Sequence, residues 1–292
     1  MDGIFNVLKP PDMTSFDVVA YLRRALKTKK IGHGGTLDPD ASGVLPVFAG
    51  TATRLLEFAV EGEKEYIAEF TLGVQTDTGD DAGTIIKTMP VPSMDEALLK
   101  DVLQKFLGKQ MQVPPMYSAL KVDGQKLYHL ARKGIEVERE AREIEIFALD
   151  LLNFTDKTFT LRIKCSKGTY IRVLGEDICS ALGTCGTMSF LLRTQVAGFF
   201  INEAYTLAEI VENPEACMSK PVAAASELAK VILTPKQAFR VTNGVRTTIR
   251  NLNDGRYAII GPNKEFLGIG LASEGMLKAE KILEHYPKPE ED

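Results

Sequence analysis

Apolar and polar positions repeat along the chain in two registers, and the register predicts the elements. IFNVL (residues 4–8) is a short apolar run stopped by Pro10 and Pro11, so it reads as a strand that ends there. From Ser15 to Thr28 the residues Phe16, Val19, Leu22 and Leu26 recur at helical spacing, and Thr14 or Ser15 can cap that helix. VLPVFAG (44–50) is apolar throughout and leads into a helical TATRLLEFAV (51–60). EKEYIAEFTL (63–72) alternates as a strand does, and TDTGDDAGT (76–84) has loop composition. SMDEALLKDVLQKFLG (93–108) predicts a helix with a capping box from Ser93 and Glu96 and a stop at Gly108.

Further on, FTLRIKCSKG (159–168) reads as a strand passing through Gly168 into the helix TYIRVLGEDICSALG (169–183), and strand-like LLRTQVAGFFI follows. Between the helix at 93–108 and the strand at 159–168, about 112–143 is an excursion with a Pro114–Pro115 break, a short helix at Leu127 to Arg132 and a charged exit. Beyond residue 230, NLNDGRYAII, EFLGIGLA and GMLKAEKIL predict short strands separated by turns. The expected architecture is α+β. A mixed or antiparallel central sheet with flanking helices occupies 1–230, and a small β-rich C-terminal module occupies 231–292.

Composition narrows this picture little. The 292 residues are 45% hydrophobic and 25% charged, as in ordinary globular chains, and no apolar run approaches the ~20 residues of a membrane span. The first residues carry no basic stretch followed by an apolar one and a cleavage site, so a cytoplasmic protein is expected. Cys165, Cys179, Cys185 and Cys217 form no CxxC pair and the three histidines are scattered, so no metal is expected and the thiols read as reduced. With a net charge of −4, any binding of nucleic acid has to rest on local basic patches.

Candidate chemistry centres on GHGGTLDPDASGVLPV (32–47). Its glycines allow close approach of a ligand to the main chain, and Pro39 biases Asp38 towards extended backbone. A carboxylate so presented is a candidate nucleophile or base, although capping a turn is the commoner role of Asp in an Asp-Pro-Asp stretch. Tyr66, on the alternating strand, could stack on an extruded base or simply be half-buried. TDTGDD lacks the position-12 Glu of an EF-hand loop and reads as a solvated turn. In KGTYIR, Thr169 is placed to cap a helix whose first turn holds Tyr170 and Arg172. An arginine there opposes the helix dipole unless it meets an anion, for which Asp38 would serve.

Four segments then carry a resemblance. GHGGTLDPDASGVLPV, KEYIAEFTLGVQTDTGD, VPPMYSALKVDGQKLYHLARKG and CSKGTYIRVLGEDI stand in the order and spacing of the TruB family of tRNA pseudouridine synthases, from about Phe5 to Phe200. Asp40 departs from the pattern, where an apolar or small residue is more usual. The resemblance implies the pseudouridine synthase fold with a thumb-like RNA-binding insertion at about 112–143 and a PUA-like C-terminal module. It implies isomerisation of uridine 55 in the TΨC loop of tRNA, without a cofactor, by a protein expected to be monomeric.

It also implies roles. Asp38 is the essential carboxylate, Arg172 its ion-pair partner, and Tyr66 the stacking residue that can accept the C5 proton. Tyr170, His33 and Lys9 belong to the substrate contacts. The basic run Arg23, Arg24, Lys27, Lys29 and Lys30, and the cluster Lys126, His129, Arg132 and Lys133, are candidate phosphate contacts to the T-arm stem-loop. A non-catalytic RNA-binding protein and a nucleoside-cleaving enzyme are the competing readings. The first leaves Asp38, Tyr66, Tyr170 and Arg172 without a joint purpose, and the second leaves the excursion and the C-terminal module without one.

Overall fold

A computed structural model describes residues 1–122 and 124–289, with Lys121 and Lys126 described by backbone alone. The chain forms two units. One comprises Met1–Asp38, Val44–Gly62 and the chain from Val196 onward; the other comprises Pro39–Gly43 and Glu63–Gln195.

In the second unit the strand Lys64–Leu72 alternates strictly, burying Lys64, Tyr66, Ala68, Phe70 and Leu72 on one face. It pairs antiparallel with Thr158–Cys165, Tyr66 standing opposite Ile163. That strand pairs with Arg142–Phe154, which in turn pairs with Gly108–Gln112 at the edge. On its other side Lys64–Leu72 neighbours Gly186–Val196, whose Leu192 and Arg193 pair parallel with Ser42 and Gly43. The sheet is therefore mixed, as expected. The 13-residue strand Arg142–Phe154 was not expected, because two register shifts break its alternation. The helix Ile171–Ala181 covers the Tyr66 face, and only glycine fits at 175, since a Cβ there would come within 2.0 Å of the Phe70 ring.

Two caps differ from the sequence reading. The helix over 96–104 is capped by Asp95, whose carboxylate accepts from the Leu98 amide, rather than by a box from Ser93. Glu96 falls at the first helical position and pairs with Lys100 at 2.6 Å. Thr169 does not cap the helix Ile171–Ala181. Tyr170 holds the cap position, while the Thr169 hydroxyl donates to the Ser166 carbonyl and closes the preceding turn.

In the first unit the strand Gly3–Lys9 lies between Met218–Ser219 and the strand that ends at Ala49, and Ile31–His33 forms a hairpin edge on the latter. The helix Ser15–Ala25 begins at a capping box from Thr14 and Asp17 and buries Val18, Val19 and Leu22 against Phe5, Val7, Leu45 and Val47. Phe16, expected in that stripe, is 64% exposed; the buried stripe instead starts at Ser15, whose hydroxyl bonds the backbone of Leu37. The helix stops at Ala25 rather than Thr28 because Lys27 turns into left-handed backbone, φ 49°.

Also in this unit, Ala229–Ile232, Gly255–Ile260, Phe266–Ser273, Met276–Ile282 and Thr247–Thr248 form a separate five-stranded sheet. The helix Pro235–Thr242 belongs to the same region and packs Ala238 and Val241 against Val231, Ile259, Leu267 and Leu277. Ala258, Ile260 and Ile269 share a second core with Ile4, Val44, Phe48 and Leu55. No helix among the described residues is long and apolar enough to cross a membrane.

Candidate active site

The face of Lys64–Leu72 changes character along its length. Leu72, Phe70 and Ala68 are apolar, with Phe70 lying against Gly175 of the helix, whereas Tyr66 and Lys64, towards the strand start, are polar and only 6% and 8% exposed. Burial, reinforced by the positive charge of Arg193, pushes the Lys64 ammonium down to about 8. Arg193 is fully buried, and its guanidinium is hydrogen-bonded to Tyr66.

Arg172 follows Tyr170 and Ile171 at the start of the covering helix and is 5% exposed, not the surface residue that its composition alone would suggest. Three acceptors hold its guanidinium. Nη1 donates to the Thr78 carbonyl at 2.6 Å, Nη2 to the Tyr117 carbonyl at 2.8 Å, and Nε lies 3.6 Å from the Asp80 carboxylate. Two of the acceptors, Thr78 and Asp80, belong to TDTGD and one, Tyr117, to VPPMYSAL, while Arg172 itself belongs to KGTYIR. Segments separated by up to 94 residues thus converge on one cation. Tyr170 is fixed separately, by its backbone: its amide donates to Gln112 Oε1 at 2.8 Å, and its carbonyl accepts from Gln112 Nε2 at 3.1 Å. That closed pair fixes the direction in which the Tyr170 ring leaves the chain.

Asp38 is half-buried, and its neighbours are tied down on both sides. Before it, the Ser15 hydroxyl accepts from the Leu37 amide at 2.9 Å and donates to the Leu37 carbonyl at 3.2 Å. After it, Gly43 adopts φ +112° against the main chain of Arg193. His33 ends the strand Ile31–His33 opposite Val47. Lys9 is fully buried, with Nζ donating to the Pro10 carbonyl at 2.7 Å.

The excursion contains a hairpin, Lys121–Val122 with Gln125–Lys126, and the helix Leu127–Ala131 anchored by buried Leu127. Arg132 lies over the Tyr128 ring at 5.8 Å, and His129 lies against that ring at 4.1 Å, so the basic groups gather around one aromatic. Lys133 is exposed, and the side chain of Lys126 lies outside the described residues.

Sequence reading missed Lys64, Asp80, Gln112, Ser15 and Arg193. For two of them the signal was present: Lys64 is in phase with Tyr66, Ala68 and Phe70, and Arg193 is in phase with Leu191 on its own strand. A charge standing in the buried register of a strand marks a site or an ion pair.

No group of three or more His, Cys, Asp or Glu among the described residues could hold a metal ion. This unit places the Tyr66 ring and the perturbed Lys64 amine on one sheet face, and the Arg172 guanidinium at the start of the helix Ile171–Ala181.

The mixed sheet with flanking helices defines the pseudouridine synthase fold, to which the separate C-terminal sheet is added. A Cbf5 chain from a Cbf5-Nop10-Gar1 complex superposes with a TM-score of 0.77 at 26% identity, covering 98% of this chain and 87% of that one. A family model described as TruB family pseudouridylate synthase (N terminal domain) matches residues 23–171. The "tRNA pseudouridine synthase B" of Alkaliphilus oremlandii is 42% identical over 279 residues, 93% of each chain. That of Caldanaerobacter subterraneus subsp. tengcongensis is 42% identical over 97% of this chain and 99% of its own, and that of Moorella thermoacetica 48% identical over 83% and 82%. The chain belongs to the TruB family of pseudouridine synthases and is an isomerase.

Proposed function

We propose that this enzyme isomerises uridine 55 in the TΨC loop of tRNA, with Asp38 as its catalytic carboxylate. The observation that supports this most is the convergence on Arg172, where two of the four resembling segments supply the groups that hold a buried guanidinium belonging to a third. A five-donor fork held in this way can still serve a carboxylate, and an opposite charge at ~4–6 Å keeps an aspartate ionised in a partly buried site. In this reading Arg172 is the partner of Asp38.

The reaction needs no donor and no oxidant. The N1–C1′ bond breaks, the uracil turns, and C5 bonds to C1′. The C5 proton is then lost and N1 regains one, so atoms and charge balance. Asp38 attacks or deprotonates the nucleoside, Tyr66 stacks on the extruded uracil and takes up the C5 proton when its phenol is ionised, and Tyr170, His33 and Lys9 line the substrate. Extruding a base costs a few kcal/mol, which stacking on an aromatic ring helps to offset.

The T-arm stem-loop is held by the excursion through Lys126, Arg132 and Lys133, and by the C-terminal β module. The enzyme acts as a monomer in the cytoplasm. Tritium release from C5-labelled uridine in tRNA transcripts tests the assignment. Release is expected from a wild-type transcript and none from one carrying cytidine at position 55. Equal release from both would remove the proposed position, and binding without release would remove the activity.

A further inference from the structure

The Tyr66 face carries a charge for which the roles above have no use. Arg193 is the largest of the fully buried side chains. A guanidinium in that position is strongly unfavourable unless its donors are used. Cross-strand pairs on the opposite face place it. Thr194 Oγ1 donates to Glu65 at 2.8 Å and Ser189 Oγ to Glu69 at 3.0 Å, so the neighbouring strands run in opposite directions. With Thr194 beside Glu65 on one face, Arg193 and Tyr66 come opposite each other on the other. There the Arg193 side chain hydrogen-bonds the Tyr66 hydroxyl.

The main chain of Arg193 has a second contact. It pairs with Gly43, five residues beyond Asp38, and a Cβ at 43 would lie 2.2 Å from the Arg193 carbonyl oxygen. Because the obstacle is backbone, no side-chain movement relieves it, and φ +112° at Gly43 already requires glycine.

We propose that Arg193 is a positioning residue for the isomerisation, its guanidinium holding the Tyr66 hydroxyl while its backbone seats the segment that follows Asp38. The inference rests on Tyr66 lining the uridine pocket. A guanidinium donates and never accepts, so the Tyr66 oxygen receives its bond on one lone pair and its own proton is directed elsewhere.

The test is a double-mutant cycle read by single-turnover tritium release at saturating tRNA. Arg193→Gln is expected to slow turnover at least ~10-fold and leave tRNA affinity within about two-fold, with Arg193→Lys retaining more of the rate. In a Tyr66→Phe background Arg193→Gln should cost less than about three-fold further, because the contact is already gone. Equal losses in both backgrounds, or an Arg193→Gln enzyme as fast as wild type, would overturn the proposal while leaving the Tyr66 reading intact. A Tyr66→Phe enzyme as fast as wild type would instead overturn that reading and, with it, this inference. Should the Arg193 variants not fold, Tyr66→Phe decides alone: losing the acceptor of a buried guanidinium should lower its melting temperature by several degrees, and an unchanged melting temperature overturns the contact.

Discussion

At the scale of single residues, the Lys64 ammonium is the group whose burial has the clearest thermodynamic consequence. Its folded value of about 8 lies below the 10.5 of an unperturbed lysine. Below pH 8 both folded and unfolded chains carry the proton, and the folded state bears the full cost of the buried charge. Between pH 8 and 10.5 only the unfolded chain keeps the proton, so this group makes folding more favourable as pH rises. Cys165 and Cys179 act oppositely above pH 9. Burial pushes their thiols up to about 11 and about 12, so the unfolded chain ionises first. Comparing wild type with Lys64→Met cancels the Cys179 thiol and leaves, besides the lysine itself, only its coupling to Cys165. The stability of wild type relative to the variant should rise by up to roughly 3 kcal/mol from pH 7 to pH 10.5. Urea denaturation across that range checks it, and a flat difference would show that Lys64 is not desolvated as described.

At the scale of elements, the helix Ile171–Ala181 matters most, because it carries Arg172 and follows Tyr170. Its seat is the contact of Gly175 with the Phe70 ring. Gly175→Ala should destabilise the enzyme by about 1–3 kcal/mol as the ring or the helix is displaced, and should slow turnover further through Arg172. Thermal melting and tritium release on one preparation check this; a variant of wild-type stability and rate would contradict the packing.

What the sequence made legible at this scale follows from pattern strength. Lys64–Leu72 and the three C-terminal strands alternate or end in turn residues, so their positions were readable. Arg142–Phe154 was not, because bulges shift its period. The caps at Asp95 and Tyr170 escaped for another reason: several neighbouring residues could fill each cap, and packing of the helix chose among them.

At the scale of the whole molecule, the C-terminal sheet is readable as a module from its turn spacing, yet the sequence gives no sign of how its inner residues are covered. Ala258, Ile260 and Ile269 share a core with Ile4, Val44 and Phe48, and Arg256 bridges Glu61 and Glu280 at 2.9 Å each. A chain ending at residue 230 should therefore melt at least ~5 °C lower than the full chain or collect in the insoluble fraction. Equal melting temperatures would mean that the shared core contributes nothing.

The candidate site was legible only in part. Asp38, Tyr66 and Arg172 stand in recognisable segments. Two of the three groups that hold Arg172 are the carbonyls of Thr78 and Tyr117, and no side-chain pattern announces a carbonyl. The measurement closest to the central claim is tritium release from C5-labelled tRNA by Asp38→Asn, an almost isosteric change that removes the charge and the nucleophile together. Release should fall below ~0.001 of the wild-type rate while tRNA affinity stays within about two-fold. Turnover near the wild-type rate would contradict the account of Asp38 as the catalytic carboxylate.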